Sequence, residues 1–78
     1  MIDLPPMSPP AKRSVTIDGH RTSVSLEDPF WRLLTVEAGA RDMTRAALIG
    51  HIDHARPPDV GLATALRLFV LHGLMTKD

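Results

Sequence analysis

Residues 14–26, SVTIDGHRTSVSL, alternate branched or apolar side chains with small polar ones on both sides of an Asp-Gly pair. No other segment restricts the fold as tightly. A two-residue type I′ hairpin turn needs positive φ at both central positions, and aspartate followed by glycine tolerates that best. With Asp18 and Gly19 as the turn, Ile17 pairs with His20, Thr16 with Arg21, Val15 with Thr22, Ser14 with Ser23 and Arg13 with Val24. Cross-strand partners share a face. One side of the hairpin therefore collects Val15, Ile17, Thr22, Val24 and Leu26, and the other collects Lys12, Ser14, Thr16, Arg21, Ser23 and Ser25. The first side suits a core, and the second is basic and rich in hydroxyls.

The rest of the chain reads as helix. Asp28 is the expected N-cap of a first helix with Pro29 at its first position, where a missing amide costs nothing. Phe30, Leu33, Leu34, Glu37 and Ala38 fall on one stripe, Trp31 borders it, and the helix should end between Gly39 and Asp42. Thr44 is the expected cap of a second helix that turns Leu48, Ile49 and Ile52 inward and stops at Pro57-Pro58. A third helix fits VGLATALRLFVLHGLM, capped by Asp59 or Gly61, with Leu62, Leu66, Phe69, Val70 and Leu74 as its main stripe. Leu68 and Leu71 widen that stripe almost all round, so the helix needs burial on more than one side.

Seventy-eight residues make a single domain with a thin core. Cysteine is absent, which excludes disulfides and thiolate metal sites and leaves a second copy of the chain as the natural staple. Nine basic residues balance nine acidic ones, so any nucleic-acid surface must be local. No apolar run reaches the roughly 18 residues of a membrane span, and the N-terminus lacks a secretory signal pattern, which predicts a soluble cytoplasmic protein. Residues 1–11 hold four of the seven prolines. The expected division is a disordered Pro-rich arm over 1–12 and a folded domain over 13–78, with Lys12 and Arg13 placed where the arm could lay them against phosphates.

A strand ending in an apolar residue, a helix begun within two or three residues, a short turn and a second helix capped by Ser or Thr together resemble the ribbon-helix-helix DNA-binding superfamily. Residues 21–54 carry the resemblance, through RTSVSLEDPFWRLL and DMTRAALIGHI. A wider match over 13–72, from RSVTIDGHRTSVSLE, the Phe-Trp pair and LATALRLFVL, is similar to a family of short bacterial proteins with such a domain. The resemblance implies an α+β, mostly α fold, with an extra N-terminal strand and a third helix, in an intertwined homodimer whose ribbon strands pair antiparallel. It implies that Arg21, Ser23 and Ser25 read base edges in the major groove and that Thr44 and the amides after it hold a phosphate. Asp42 stands where the family commonly has glycine, and Arg45 where it commonly has an apolar residue.

The residue types fit that chemistry. Arginine offers a planar fork to guanine, and serine hydroxyls donate or accept at several base edges. They fit a solvated sheet face as well. Lys12, Arg13, Thr44 and Arg45 form the expected phosphate-contacting set, and Val24, Leu26, Trp31, Leu48, Ile52, Leu66, Phe69 and Val70 the expected dimer interface. If both strands pair within a subunit and the second also pairs with its mate, the sheet has four strands and spans roughly 14 Å. A major groove about 12 Å wide admits two. Either the first strand, 14–17, moves away, or the sheet contacts something other than a groove.

Other constellations are weaker. His51 and His54 lie three apart, but two ligands rarely make a metal site, and surface histidines near a helix end are the simpler reading. Glycine-rich phosphate loops and nucleophile sets are absent, so no catalytic residue and no cofactor is expected. The expected function is sequence-specific DNA binding by a homodimeric transcriptional regulator. The alternative is a protein-interaction module, a dimeric adaptor or antitoxin-like protein that keeps the scaffold and grips a second protein.

Overall fold

The computed structural model describes residues 1–76; positions 77 and 78, the end of the domain expected over 13–78, lie outside the described residues. Five elements follow in order: β1 (Ala11–Ile17), β2 (His20–Leu26), α1 (Asp28–Ala40), α2 (Arg45–Ala55) and α3 (Leu62–Met75). The fold is a two-stranded antiparallel ribbon followed by three helices, the α+β, mostly helical order that the sequence predicts. Residues 1–10 are exposed and carry no regular secondary structure, and β1 begins at Ala11, which makes Lys12 and Arg13 strand residues.

The hairpin forms in the expected register, from Ile17 opposite His20 to Ala11 opposite Leu26. Asp18 and Gly19 have φ of 53° and 78°, the left-handed pair that a type I′ turn requires. Val15, Val24 and Leu26 are buried and Ile17 is half-buried, so the apolar side does face the core. Thr22, expected on that side, is exposed. Near the turn the ribbon overhangs an open groove lined by Ile17, Thr22, Asp53 and Arg56 instead of resting on the core.

The helix boundaries have local causes. Helix α1 is capped by Glu27 and not by Asp28, and the cap makes no side-chain bond to the helix, since the Glu27 carboxylate accepts from Arg67 Nε at 2.8 Å. Asp28 is freed to pair with Arg32 one turn on and with Arg13 at 3.4 Å. At its other end the amide of Met43 donates to Ala38 O at 2.9 Å and that of Asp42 to Gly39 O at 3.2 Å. These two bonds close a Schellman motif around Asp42, whose φ is 54°. Thr44 caps α2 as expected, its Oγ1 accepting from the Ala47 amide at 3.1 Å. Arg56 is extended before Pro57, the conformation a following proline favours, and ends α2 there. Gly61 caps α3.

Leu26, Leu34, Ile49, Leu66 and Val70 have less than 2 % exposure, so the ribbon and all three helices meet in one core. Glu37 is buried beside it and accepts from Arg41 Nη1 at 2.8 Å, while Arg41 also lies over the Phe69 ring at 5.2 Å. The carboxylate reaches α3 at Gly73, where an added Cβ would stand 3.4 Å from Glu37 Oε1. Leu74, expected inward, is exposed: α1 reaches the last turn of α3 on the side of Gly73, through Glu37, and leaves Leu74 in solvent. Of the residues expected at a dimer interface, Val24, Leu26, Leu48, Leu66 and Val70 are buried within one chain, and Trp31, Ile52 and Phe69 are half-buried. Among the described residues no helix is long and apolar enough to cross a membrane.

Candidate nucleic-acid interface

Pleating alone sends Lys12, Ser14 and Thr16 of β1 and Arg21, Ser23 and Ser25 of β2 away from the core. All six are exposed, and they face one another in three pairs, Lys12 with Ser25, Ser14 with Ser23 and Thr16 with Arg21. The face carries two cations and four hydroxyls and no carboxylate. Ser14 and Thr16 were not among the expected base-reading residues, although their cross-strand register with Ser23 and Arg21 places them on the same surface.

Arg21 differs from every other arginine. Arg13, Arg32, Arg41, Arg56 and Arg67 each pair with a carboxylate, and Arg45 is held by Thr35 and Trp31. Arg21 has no hydrogen-bond, ion-pair or ring partner among the described residues. An arginine fork left in solvent on a strand face retains all its donors for a ligand.

Arg13, expected at a phosphate, lies opposite Val24 on the inner side of the ribbon. Its guanidinium donates to Leu26 O at 3.3 Å, pairs with Asp28 and sits 5.3 Å from the centroid of Trp31. It braces the junction of β2 and α1. The ribbon's outward cations are Lys12 and Arg21.

Thr44 and Arg45 fall beside the outward ribbon face. A shallow depression of about 360 Å³ is lined by Ser14, Thr16, Trp31, Thr44, Arg45 and Ala46, so β1 hydroxyls and the start of α2 share one surface. The amides of Arg45 and Ala46 lie in the first turn, where no intrahelical acceptor exists, and the helix dipole places partial positive charge there. No acidic residue occupies that turn. Arg45 lies 3.9 Å from the Trp31 centroid and donates from Nη1 to Thr35 Oγ1 at 2.8 Å. Helix start, guanidinium and hydroxyls together suit a phosphodiester.

At the ribbon tip His54 Nε2 lies 2.8 Å from Asp18 Oδ2, tying the turn to α2. Among the described residues no group of three or more His, Cys, Asp or Glu side chains could hold a metal ion. The Glu27 carboxyl titrates below the usual range because Arg67 donates a hydrogen bond to it, helped by a backbone hydrogen bond and the nearby charge and opposed by desolvation.

Comparison with protein families finds a model described as "Ribbon-helix-helix domain" matching residues 10–74. No curated protein and no solved structure matches the chain.

Proposed function

Since the chain belongs to the ribbon-helix-helix domain family, whose members are typically DNA-binding regulators, we propose that it binds specific DNA sites as a homodimer and regulates transcription. The observation that carries this reading is Arg21, an arginine without a partner among the described residues, on a ribbon face free of carboxylates. The hairpin of one chain is already a two-stranded ribbon. Its strands lie about 4.8 Å apart, well within a major groove about 12 Å wide. The four-strand obstruction arises only where β2 also pairs with its mate.

In this reading Arg21, Ser23 and Ser25 contact base edges, with Ser14 and Thr16 beside them. Lys12, Thr44, Arg45 and the first amides of α2 hold the flanking phosphates. A dimer of such ribbons selects a site with two-fold symmetry. Retention of random genomic duplexes at low salt is the test. Enrichment of particular fragments, lost in Arg21→Ala with an intact fold, is expected; retention of no fragment above bulk DNA overturns the reading.

A second reading is a protein-interaction module, adaptor or antitoxin-like, favoured by the exposed apolar face of α3. Unchanged DNA retention in Arg21→Ala would favour it.

A further inference from the structure

Among the described residues, large apolar side chains stay in solvent on two segments, the arm and α3, and at Val36 of α1. The arm owes its shape to its prolines. They push the residue before each of them into extended backbone, so residues 1–10 favour a polyproline II helix with three residues per turn. That period brings Met1, Leu4, Met7 and Pro10 onto one edge, which carries no charged side chain. On α3 the helical period does the same for Arg67, Leu71 and Leu74, spaced i, i+4 and i+7 along one ridge. Leu71 and Leu74 are 49 % and 47 % exposed. The two segments approach each other at one point. Pro6, Met7 and Ser8 line a hollow of about 210 Å³ with Glu27, Pro29 and Phe30, and Glu27 accepts from Arg67, the first residue of the ridge, at 2.8 Å.

We infer that the arm is a strap that closes over α3 of its own chain, with Leu4 packed on Leu71 and Leu74. The structure holds the strap open, since residues 1–10 are all exposed. Reach decides the pairing. At about 3.1 Å per residue, Leu4 stands about 9 Å beyond Met7 along the arm. At about 1.5 Å per residue, Leu71 and Leu74 stand about 6 and about 10 Å beyond Arg67 along α3. Leu4 therefore falls level with the two leucines, and Met1 reaches the end of the helix near Met75. The tether favours this occupant over a separate molecule. An arm joined to the domain beside the ridge has an effective concentration in the millimolar range. Its prolines also leave it less freedom to lose on closing. The arm's uncharged edge matches a ridge whose arginine is already taken by Glu27. A protein gripping α3 has to displace the strap, whereas the outward face of the ribbon, which points away from the core, stays open to a duplex.

The strap depends neither on DNA binding nor on the oligomeric state, and its test is read on the whole parent chain. Nuclear Overhauser contacts from the methyls of Leu4 to those of Leu71 and Leu74 are expected. They should persist when methyl-labelled chain is diluted into an excess of unlabelled chain. Absence of these contacts overturns the inference, and so does their loss on dilution, which would assign them to the arm of a second copy. Because the chain has no cysteine, Leu4→Cys/Leu71→Cys provides a second measurement. In oxidised glutathione it should form an intramolecular disulfide at least about tenfold faster than Leu4→Cys/Ser23→Cys, whose second thiol lies on the outward ribbon face. Equal rates for the two pairs overturn the strap.

Discussion

The guanidinium of Arg45 lies 3.9 Å from the centroid of the Trp31 ring, and that of Arg13 lies 5.3 Å from the same centroid. One indole on α1 thereby joins the first residue of α2 to a residue of β1. The half-buried tryptophan is a platform that fixes where the start of α2 stands relative to the ribbon. Both must be in register if one duplex is to touch them together.

Removing the platform should therefore loosen the fold and the proposed phosphate contact at once. Trp31→Ala is expected to lower stability by about 2 to 3 kcal/mol, below the range for a fully buried aromatic. Arg45→Ala loses a cation–π contact between half-buried residues and the hydrogen bond to Thr35, about 1 to 2 kcal/mol together, and should flatten the salt dependence of DNA retention by about one counterion. Urea melts and retention across a salt series measure the two effects. An Arg45→Ala protein with an unchanged salt slope would remove Arg45 from the phosphate set.

Arg21 is exposed and holds no other residue among those described, so Arg21→Ala should leave stability within about 0.5 kcal/mol of the parent. A bidentate arginine–base contact discriminates by about 1 to 3 kcal/mol, which predicts a 5- to 150-fold loss for the preferred fragment and little change for bulk DNA. Arg21→Lys keeps the charge and loses the fork. Specificity should fall in that variant while bulk retention stays. Competition titrations with preferred and random duplexes separate the two quantities.

The ribbon is legible in the sequence because its determinants are local. Thirteen residues carry both the turn, at Asp18-Gly19, and the alternation that sends Val15 and Val24 inward and Arg21 and Ser23 outward. The Thr44 cap is local for the same reason, an oxygen accepting from the amide three residues on. Periodicity cannot show what meets across elements. Arg13 alternates correctly into the inner side, yet its engagement with Leu26, Asp28 and Trp31 depends on how α1 leaves β2. The cap of α1 shifts from Asp28 to Glu27 for a related reason. Arg67, forty residues away, holds the Glu27 carboxylate. Leu74 shares the main stripe of α3 with Leu66 and Val70, and only packing decides that they enter the core and it does not.

The hairpin turn makes a backbone prediction. Gly19 has a φ of 78°, and an added Cβ would meet no atom within 4 Å. Gly19→Ala is thus expected to cost about 1 kcal/mol through conformation alone, without a clash. The His54 contact to Asp18 joins two exposed side chains, so His54→Ala should change stability by less than about 0.5 kcal/mol. Denaturant midpoints for the two variants give the comparison, and a larger effect from His54 would mean that the tether, not the turn, holds the tip.

Glu27 links the ribbon–helix junction to α3 through Arg67, and its folded carboxyl titrates below its ordinary value of 4.5. A carboxyl depressed on folding stabilises fully above its unfolded pKa, and that contribution is lost as pH falls through the folded pKa. The parent should therefore lose thermal stability below about pH 4.5 more steeply than Glu27→Gln, and the two melting temperatures should converge in acid. Melting curves from pH 7 down to pH 2 show this directly. Parallel curves throughout would mean that the pair contributes nothing to folding.

Asp42 occupies the C′ position of α1 with a φ of 54°, a conformation that glycine adopts without penalty and an L side chain does not. Two backbone bonds, to Ala38 O and Gly39 O, hold it there, and its own side chain has no partner among the described residues. Asp42→Gly retains both bonds and removes the strain, which should raise stability by about 0.5 to 1 kcal/mol. The same change deletes a negative charge two residues before the Thr44 cap, beside the surface assigned to phosphate. DNA retention should rise along with the melting temperature, and more at low salt than at high salt. Asp42→Asn separates the causes, since it removes the charge and keeps a side chain at positive φ. It should reproduce the gain in retention with little of the gain in stability. Equal retention by parent and Asn variant at low salt would show that no phosphate lies near this turn.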